Sequence, residues 1–432
     1  MSSGDRTRGG NEAELDKGPG DLEIPVEEIL NNPGLLKLEL IMHGLRLAPG
    51  LSTEVLGGSG PSPFATTFEL DVHLPEGTAA TVPINQKLTA KSPYVLEQNE
   101  GGHVIVTEGG SVEVTVNPPP AFYQLKTPSG IPFGRFATMH GGYLALSPVA
   151  ECQFLSNADR CRFCSLDGSF PGEGSRVPVE DVIEAVRAAQ AERPIQMIYL
   201  SVGYIEGPGS GVRVLEPYVR AIKKSFNVLV AIDALPPADN AWIDNTYAMG
   251  VDSVSYNLEI FGPEEFKRMC PGPARTIGRQ RFLDALSYAA TVFNDGAVIS
   301  HLIVGIEPIE NTLVGIDELV RRRVVPVLPV FRPFKGIDLR HERSPKIGTR
   351  QLSSVYAHLY NQLRSNKIPM GWVRDISVVT TPMEGRFFVG GESGLSRFLS
   401  RVWGDPHRKP SPRLVDLRRT LRVREMEPDD PE

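Results

Sequence analysis

An α/β fold is predicted from three features of this 432-residue chain. From about residue 140 onward, strand-length apolar runs alternate with helix-length segments. Those runs are apolar on both faces, as strands of a parallel sheet buried on both sides are. Apolar residues make up 41% and charged residues 22%, enough for a large core and too apolar for a wholly disordered chain.

The elements follow in order. Tyr143–Ser147 is the first short strand. Val179, Val182, Ile183 and Val186 recur at i, i+3, i+4 and i+7, one face of a helix. Gln196–Val202 is the second strand, with a helix over Val212–Lys224. Val228–Asp233 is the third, and its helix, Asn240–Met249, is stopped by Gly250. Ser253–Glu259 precedes a helix over Gly278–Phe293, Ala297–Val304 one over Thr312–Arg322, and Val324–Phe331 one over Gln351–Leu363. Six strand–helix units predict a six-unit (βα) partial TIM barrel spanning 136–345, with an open doubly wound sheet as the competing closure. Both place ligands on the loops at the carboxyl ends of the strands.

The flanks differ. Residues 1–20 are polar and read as disordered. Residues 21–135 read as a β-rich N-terminal domain, with strand-length runs at Leu35–Met42, Phe68–Leu74, Val104–Val106 and Val112–Val116, punctuated by Gly-Gly pairs and closed by Pro118–Pro120. This domain is expected to cover the barrel mouth or to present substrate. Residues 346–424 form a C-terminal helix/strand extension with one more apolar run, Ile376–Val379, and a basic stretch from Arg397 to Arg424 that reads as a solvated face. Residues 425–432 are an acidic, solvated tail.

Charge and cysteine content narrow the function. The net charge is −7, so no basic excess favours nucleic acid. No run approaches the ~20 apolar residues of a membrane span, and the first residues lack the apolar segment of a secretory signal. The expectation is a cytoplasmic protein. Of four cysteines, Cys152, Cys161 and Cys164 fall within 13 residues and Cys270 stands apart. A clustered triplet in a reducing compartment reads as a metal site rather than a disulfide framework.

The cluster is a C-x8-C-x2-C motif placed just after the first strand of the repeat. The C-x2-C pair lets two thiolates converge on one centre, and the third arrives from a loop long enough to fold back. Three thiolates suit an iron–sulfur cluster with one iron left open, or a tetrahedral zinc with a fourth ligand such as His140. Position favours the first, because an incomplete ligand set at the ligand-binding end of the strands is what a reactive cluster needs.

A three-cysteine loop ending Cys161-Arg-Phe163-Cys164, after the first strand of a six-unit βα repeat, resembles the radical S-adenosylmethionine (radical SAM) superfamily, and within it the biotin-synthase-like members. The likeness covers about 140–340. It implies that Cys152, Cys161 and Cys164 hold a [4Fe–4S] cluster whose fourth iron binds S-adenosylmethionine (SAM). One electron, from a donor such as flavodoxin or ferredoxin, then cleaves SAM to a 5′-deoxyadenosyl radical that abstracts hydrogen from a small-molecule substrate. By the same likeness, Phe163 belongs to the cofactor site, Gly203 and Glu206 meet the SAM amino group, Asn257 and Glu259 hold the ribose, and Gly305, Ile306 and Glu307 lie along the adenine. Arg279 and Arg281 both qualify as partner of the SAM carboxylate, with Arg281 preferred. The chain departs from the common C-x3-C-x2-C spacing and carries a degenerate Gly-Gly-Glu turn, which removes the clues that name a subfamily.

Four single residues complete the candidate site. Cys270 follows the fourth strand and is a candidate hydrogen-atom donor, or an inert buried thiol. Asp233 and Arg332 end the third and sixth strands, where each can orient substrate or serve as an ordinary salt-bridge residue. His301 lies within a strand and reads as a hydrogen-bonded core histidine. Two other functions compete. A nucleotide-dependent oxidoreductase would use Gly207-Pro208-Gly209-Ser210-Gly211, but the sixth place of a G-x-G-x-x-G fingerprint is Val212. A zinc-stabilised scaffold or partner-binding protein would use the cysteines structurally.

Overall fold

The computed structural model describes residues 24–51, 69–84, 89–156, 158–164, 166, 175–332 and 347–389. The expectations for 1–20, for the basic stretch from Arg397 and for the tail 425–432 lie outside these residues.

The described chain is mixed α/β. Helices α1 (Val26–Asn31) and α2 (Pro33–His43) precede strands β1 (Arg46–Leu47), β2 (Glu69–Leu74), β3 (Thr78–Pro83), β4 (Val95–Asn99), β5 (Gly102–Thr107) and β6 (Gly110–Asn117). These strands form one sheet in the order β1-β4-β5-β6-β2-β3. The run Leu35–Met42, read above as a strand, is helical. Its Leu-Lys-Leu-Glu-Leu alternation imitates a period of two, but Asn32 caps the helix by accepting from the Gly34 and Leu35 N–H groups, and Pro33 occupies the first turn. Alternation arises because α2 is buried on every side, with its polar members partnered inside. Lys37 is fully buried and donates to Glu384 at 2.9 Å. Glu39 accepts from the Tyr94 hydroxyl at 2.9 Å and from Thr349.

The second sheet begins with a hairpin of β7 (Ala137–His140) and β8 (Tyr143–Leu146). Its two-residue turn puts Gly141 at a φ of 68°, and a Cβ there would strike the Asp375 carbonyl. From β8 onward the chain alternates: α3 (Val179–Glu192), β9 (Met197–Ser201), α4 (Val212–Ser225), β10 (Leu229–Asp233), α5 (Ala241–Ala248) and β11 (Ser253–Ser255). Three helices follow, α6 (Pro263–Met269), α7 (Pro271–Thr276) and α8 (Arg279–Val292), of which the sequence reading anticipated the last. Then come β12 (Val298–His301), α9 (Ile309–Arg321), β13 (Val325–Val327) and α10 (Thr349–Ser365). Strands β8 to β13 pair in sequence order and in parallel, and β7 adds one antiparallel edge.

This sheet is curled. One cavity is lined by His140 of β7, Tyr143 and Ala145 of β8, Met197 and Tyr199 of β9, Asp233 of β10, Asn257 past β11, Ile299 of β12 and Val327 of β13. A flat sheet could not bring both edges to one space. Residues at even spacing (Tyr143, Ala145, Ser147; Met197, Tyr199, Ser201) face inward, and the intervening Leu144, Leu146, Ile198 and Leu200 are fully buried outside it.

The N-terminal unit packs against the far end of the chain. Lys37 reaches the Ile376 carbonyl and Glu384, and the Thr81 backbone and hydroxyl bond Ser377. Arg332 donates to the Ile41 carbonyl at 3.2 Å and pairs with Glu69 at 3.7 Å. Among the described residues none before His140 lines the cavity. Within the described chain no helix is long and apolar enough to cross a membrane.

Burial lowers the Lys37 pKa, with Glu384 opposing, as expected of an ion held without water. Lys37→Met should therefore destabilise the chain by about 3–5 kcal/mol, because Glu384 is left without its cation, and Lys37→Met/Glu384→Leu should recover much of the loss. Urea unfolding midpoints of the three proteins check this; equal midpoints for wild type and Lys37→Met would show the pair contributes nothing.

Candidate active site

The cavity measures about 440 Å³, and its walls are mostly apolar. At the carboxyl end of the strands it is lined by Cys152, Cys161, Phe163, Cys164, Gly203, Asp233, Asn257, Glu259 and Cys270. Deeper, its far end is closed by Trp372, Val373, Ile376, Val378 and Val379, with His140 and Tyr143 beside them.

The cysteine loop is held from two sides. Against the loop after β9, the Gln153 N–H donates to the Tyr204 carbonyl at 2.9 Å, the Glu206 N–H donates to Gln153 Oε1 at 2.8 Å, and the Phe154 and Tyr204 rings stack at 4.4 Å. Against α6 and α7, the Arg162 N–H donates to the Met269 carbonyl at 2.9 Å, the Gly272 N–H to the Asp159 carbonyl at 3.0 Å, and Arg275 pairs with Asp159. Arg160 bridges the carbonyls of Cys164 and Leu166. Gly203 is obligatory at this junction: a Cβ would collide with the Glu151 carbonyl and lie 2.5 Å from the Cys152 Cβ.

The thiols sense one another. Burial raises the Cys152 thiol and pushes Cys164 up to about 11, with the neighbouring sulfurs adding to both. Cys161 is lowered by a hydrogen bond from Cys270, whose own thiol that bond and its burial hold well above the ordinary range. Among the described residues no set of three or more His, Cys, Asp or Glu side chains stands ready-arranged around a metal ion. The donors nevertheless fit an iron–sulfur group in kind: three soft sulfurs converge on one apolar cavity, where a bound metal deprotonates a thiol that burial alone keeps neutral. His140, named above as a possible fourth zinc ligand, lies opposite Tyr143 at the other end of β8 from this loop.

A polar network crosses the ends of the strands. Asn257 donates to Asp233 Oδ1 at 2.8 Å, and its own oxygen accepts from the Ser255 hydroxyl and the His301 N–H. Burial pushes the Asp233 carboxyl up to about 7 and holds Glu259 well above the carboxylate range, with Asp233 and Cys161 adding to the latter. Glu259 adopts a φ of 66°, a left-handed conformation that a β-carbon disfavours.

Other residues named from the sequence stand outside the cavity lining. Glu206 is exposed. Arg281 donates to the Pro237 carbonyl and Asn240, and Arg279 donates to the Phe261 carbonyl and stacks on its ring. Gly305 takes a φ of 101° and Ile306 is buried. Glu307 accepts from the Phe261 and Gly262 N–H groups, which fastens the β12 loop to that after β11. Arg332 joins the N-terminal unit, as described. The sequence reading missed Tyr199 and the closing residues Trp372–Val379. The alternation Met197-Tyr199-Ser201 was the available signal for Tyr199; the closing segment arrives only through tertiary packing.

No protein-family model matches the chain. It is 29% identical over 111 residues to bacteriochlorophyllide c C-7(1)-hydroxylase of Chlorobaculum limnaeum, a match covering 26% of this chain and 28% of the hydroxylase. Among solved structures, methylornithine synthase (PylB) aligns at a TM-score of 0.42 and 15% identity, covering 51% of this chain and 62% of its own. A radical SAM methyltransferase from Sphaerobacter thermophilus aligns at a TM-score of 0.38 and 16% identity, covering 64% and 76%.

Gly203→Ala should push the Cys152 loop away from the loop after β9. We expect iron bound after anaerobic reconstitution to fall severalfold while the melting temperature changes little; iron equal to wild type would show that Cys152 does not need this packing. A second outcome concerns pH. Burial lowers the His301 pKa from 6.5 to about 4. Between those values the unfolded chain binds a proton that the folded chain does not, so stability falls as pH drops through this window, by up to about 3 kcal/mol. His301→Gln should flatten that part of a stability–pH profile measured by denaturant unfolding.

Proposed function

We propose that this protein is a radical SAM enzyme acting on a small organic substrate, with strands β8 to β13 and their helices forming a six-unit partial TIM barrel. The observation that carries the reading is the convergence of Cys152, Cys161 and Cys164 with Gly203, Asn257 and Glu259 on one end of one cavity. The three cysteines would hold a [4Fe–4S] cluster, and Gly203, Asn257 and Glu259 would receive SAM. When bound, these groups supply a 5′-deoxyadenosyl radical competent to take a hydrogen atom from carbon.

The chain's own residues do the rest. The packing of Gly203 on Cys152 sets the depth of the cysteine loop. Asn257, its oxygen filled by Ser255 and the His301 N–H, holds Asp233 toward the lumen with one amide N–H and keeps the other for a ligand. The apolar wall from Tyr143 to Val379 excludes water from a reactive radical. Hydroxylation, the reaction in the name of the hydroxylase relative, joins rearrangement, carbon–carbon bond formation, fragmentation and dehydrogenation as outcomes this chemistry allows. An external reductant such as a flavodoxin or ferredoxin would supply the electron.

Anaerobic reconstitution should load about four iron and about four sulfide per chain. With dithionite and SAM the loaded protein should release 5′-deoxyadenosine, detected by mass spectrometry, and Cys161→Ala/Cys164→Ala should abolish it. A single zinc, with no iron taken up and no 5′-deoxyadenosine, would refute the reading in favour of a structural site.

A further inference from the structure

The lumen carries two carboxyl side chains and no strong base. Asp233 and Glu259 line it, each half-buried by accessible surface, no Lys or Arg does among the described residues, and burial lowers its two histidines, His140 and His301, toward the neutral form. Asp233 uses one oxygen to accept from Asn257. A carboxylate offers about four lone-pair sites, so its remaining acceptor capacity is open to a guest. Asn257 has none to spare, since its oxygen already takes the Ser255 hydroxyl and the His301 N–H.

A second observation points to the same spot. The Tyr199 hydroxyl is fully buried and has no hydrogen-bond partner among the described residues, although Ser255 and Asn257 lie near it. An unmet buried hydroxyl costs about 1–3 kcal/mol, which a guest that bonds it returns as affinity. Tyr199 lies on β9 two residues before Ser201, the register partner of Asp233. That places the hydroxyl-bearing residue one inward position, roughly 7 Å, below the carboxylate. Below it the inward positions are Met197 and its register partner Tyr143, with Trp372 packed against that pair.

We propose that this lumen selects a substrate with an apolar, ring-sized body that lies toward Trp372 and carries a protonated amine, or an equally strong nitrogen donor, seated on Asp233 and Tyr199. An anionic group at the same depth would face the Asp233 carboxyl with no described Lys or Arg beside it to offset the repulsion. Burial that pushes Asp233 up to about 7 acts in the same sense, because a cation beside it restores the charged form. The proposal rests on the reading of this cavity as the substrate site, and it concerns a guest distinct from SAM.

The test uses the full chain, reconstituted with iron and sulfide and saturated with SAM so that the cofactor's own amine does not compete. Tryptamine and 3-(indol-3-yl)propionate serve as probes, one ring system with opposite charges, and binding is measured by equilibrium dialysis. Tryptamine should bind about tenfold or more tightly than the propionate. Asp233→Asn should remove most of that preference, and Tyr199→Phe should weaken tryptamine by about three- to tenfold. Melting temperature and bound iron verify that each variant is folded, and Tyr199→Phe carries the test if Asp233→Asn is not. Equal binding of the two probes, no binding of either, or a preference unaffected by both variants overturns the proposal. Amine binding without 5′-deoxyadenosine formation leaves the lumen assignment standing while the radical SAM reading falls, and the reverse result does the opposite.

Discussion

The organisation of this protein depends on a parallel sheet that curls without filling its own interior. Barrel sheets are normally packed solid by inward side chains. Here several inward positions are small: Ala145, Ser147, Ser201 and Gly203 all border the cavity. The outward neighbours Leu144, Leu146, Ile198 and Leu200 bury completely, so the sheet keeps its hydrophobic stabilisation on the helix side while the inside stays open. An open, water-poor space is what both a metal–sulfur group and an apolar guest require.

That space has two different ends. At the carboxyl end the cysteine loop is pinned between the loop after β9 and the short helices after β11, so the sulfurs are positioned by contacts from two directions as well as by Arg160 within their own loop. At the other end the segment Trp372–Val379 is fixed by the N-terminal unit, through Lys37 and Thr81, and by the β7–β8 turn, through the Gly142–Asp375 backbone bond. Lys37 is the costliest of these to bury, and its reach to both Ile376 and Glu384 compensates. The N-terminal unit therefore supports the far wall of the cavity, and none of its described residues lines it.

The low dielectric of the lumen governs its chemistry. Desolvation raises Asp233 to about 7 and Glu259 well above the carboxylate range, lowers His301, and raises the thiols of Cys152 and Cys164. Each of these groups is cheaper to hold uncharged until a bound partner of opposite charge arrives. A ligand of opposite charge at the sulfur or the carboxylate positions would therefore shift their ionisation.

From its residues alone the chain declared the mixed α/β repeat, because apolar strands and amphipathic helices have different periods, and it declared the three-cysteine loop, because ligand spacing is local. It also placed Asp233 at a strand end, where the structure shows it facing the lumen. Local pattern misled at Leu35–Met42, where burial on all sides erased the helical period, and it had no means to separate Glu206, Arg281, Glu307 and Arg332, which bind backbone, neighbouring loops or a second unit, from Gly203, Asn257 and Glu259, which border the cavity. Tertiary structure alone decided that the Tyr199 hydroxyl has no hydrogen-bond partner among the described residues, that Cys161 meets Cys270, and that residues 372–379 border the far end of the lumen, since each depends on contacts between segments tens to hundreds of residues apart that no local periodicity encodes.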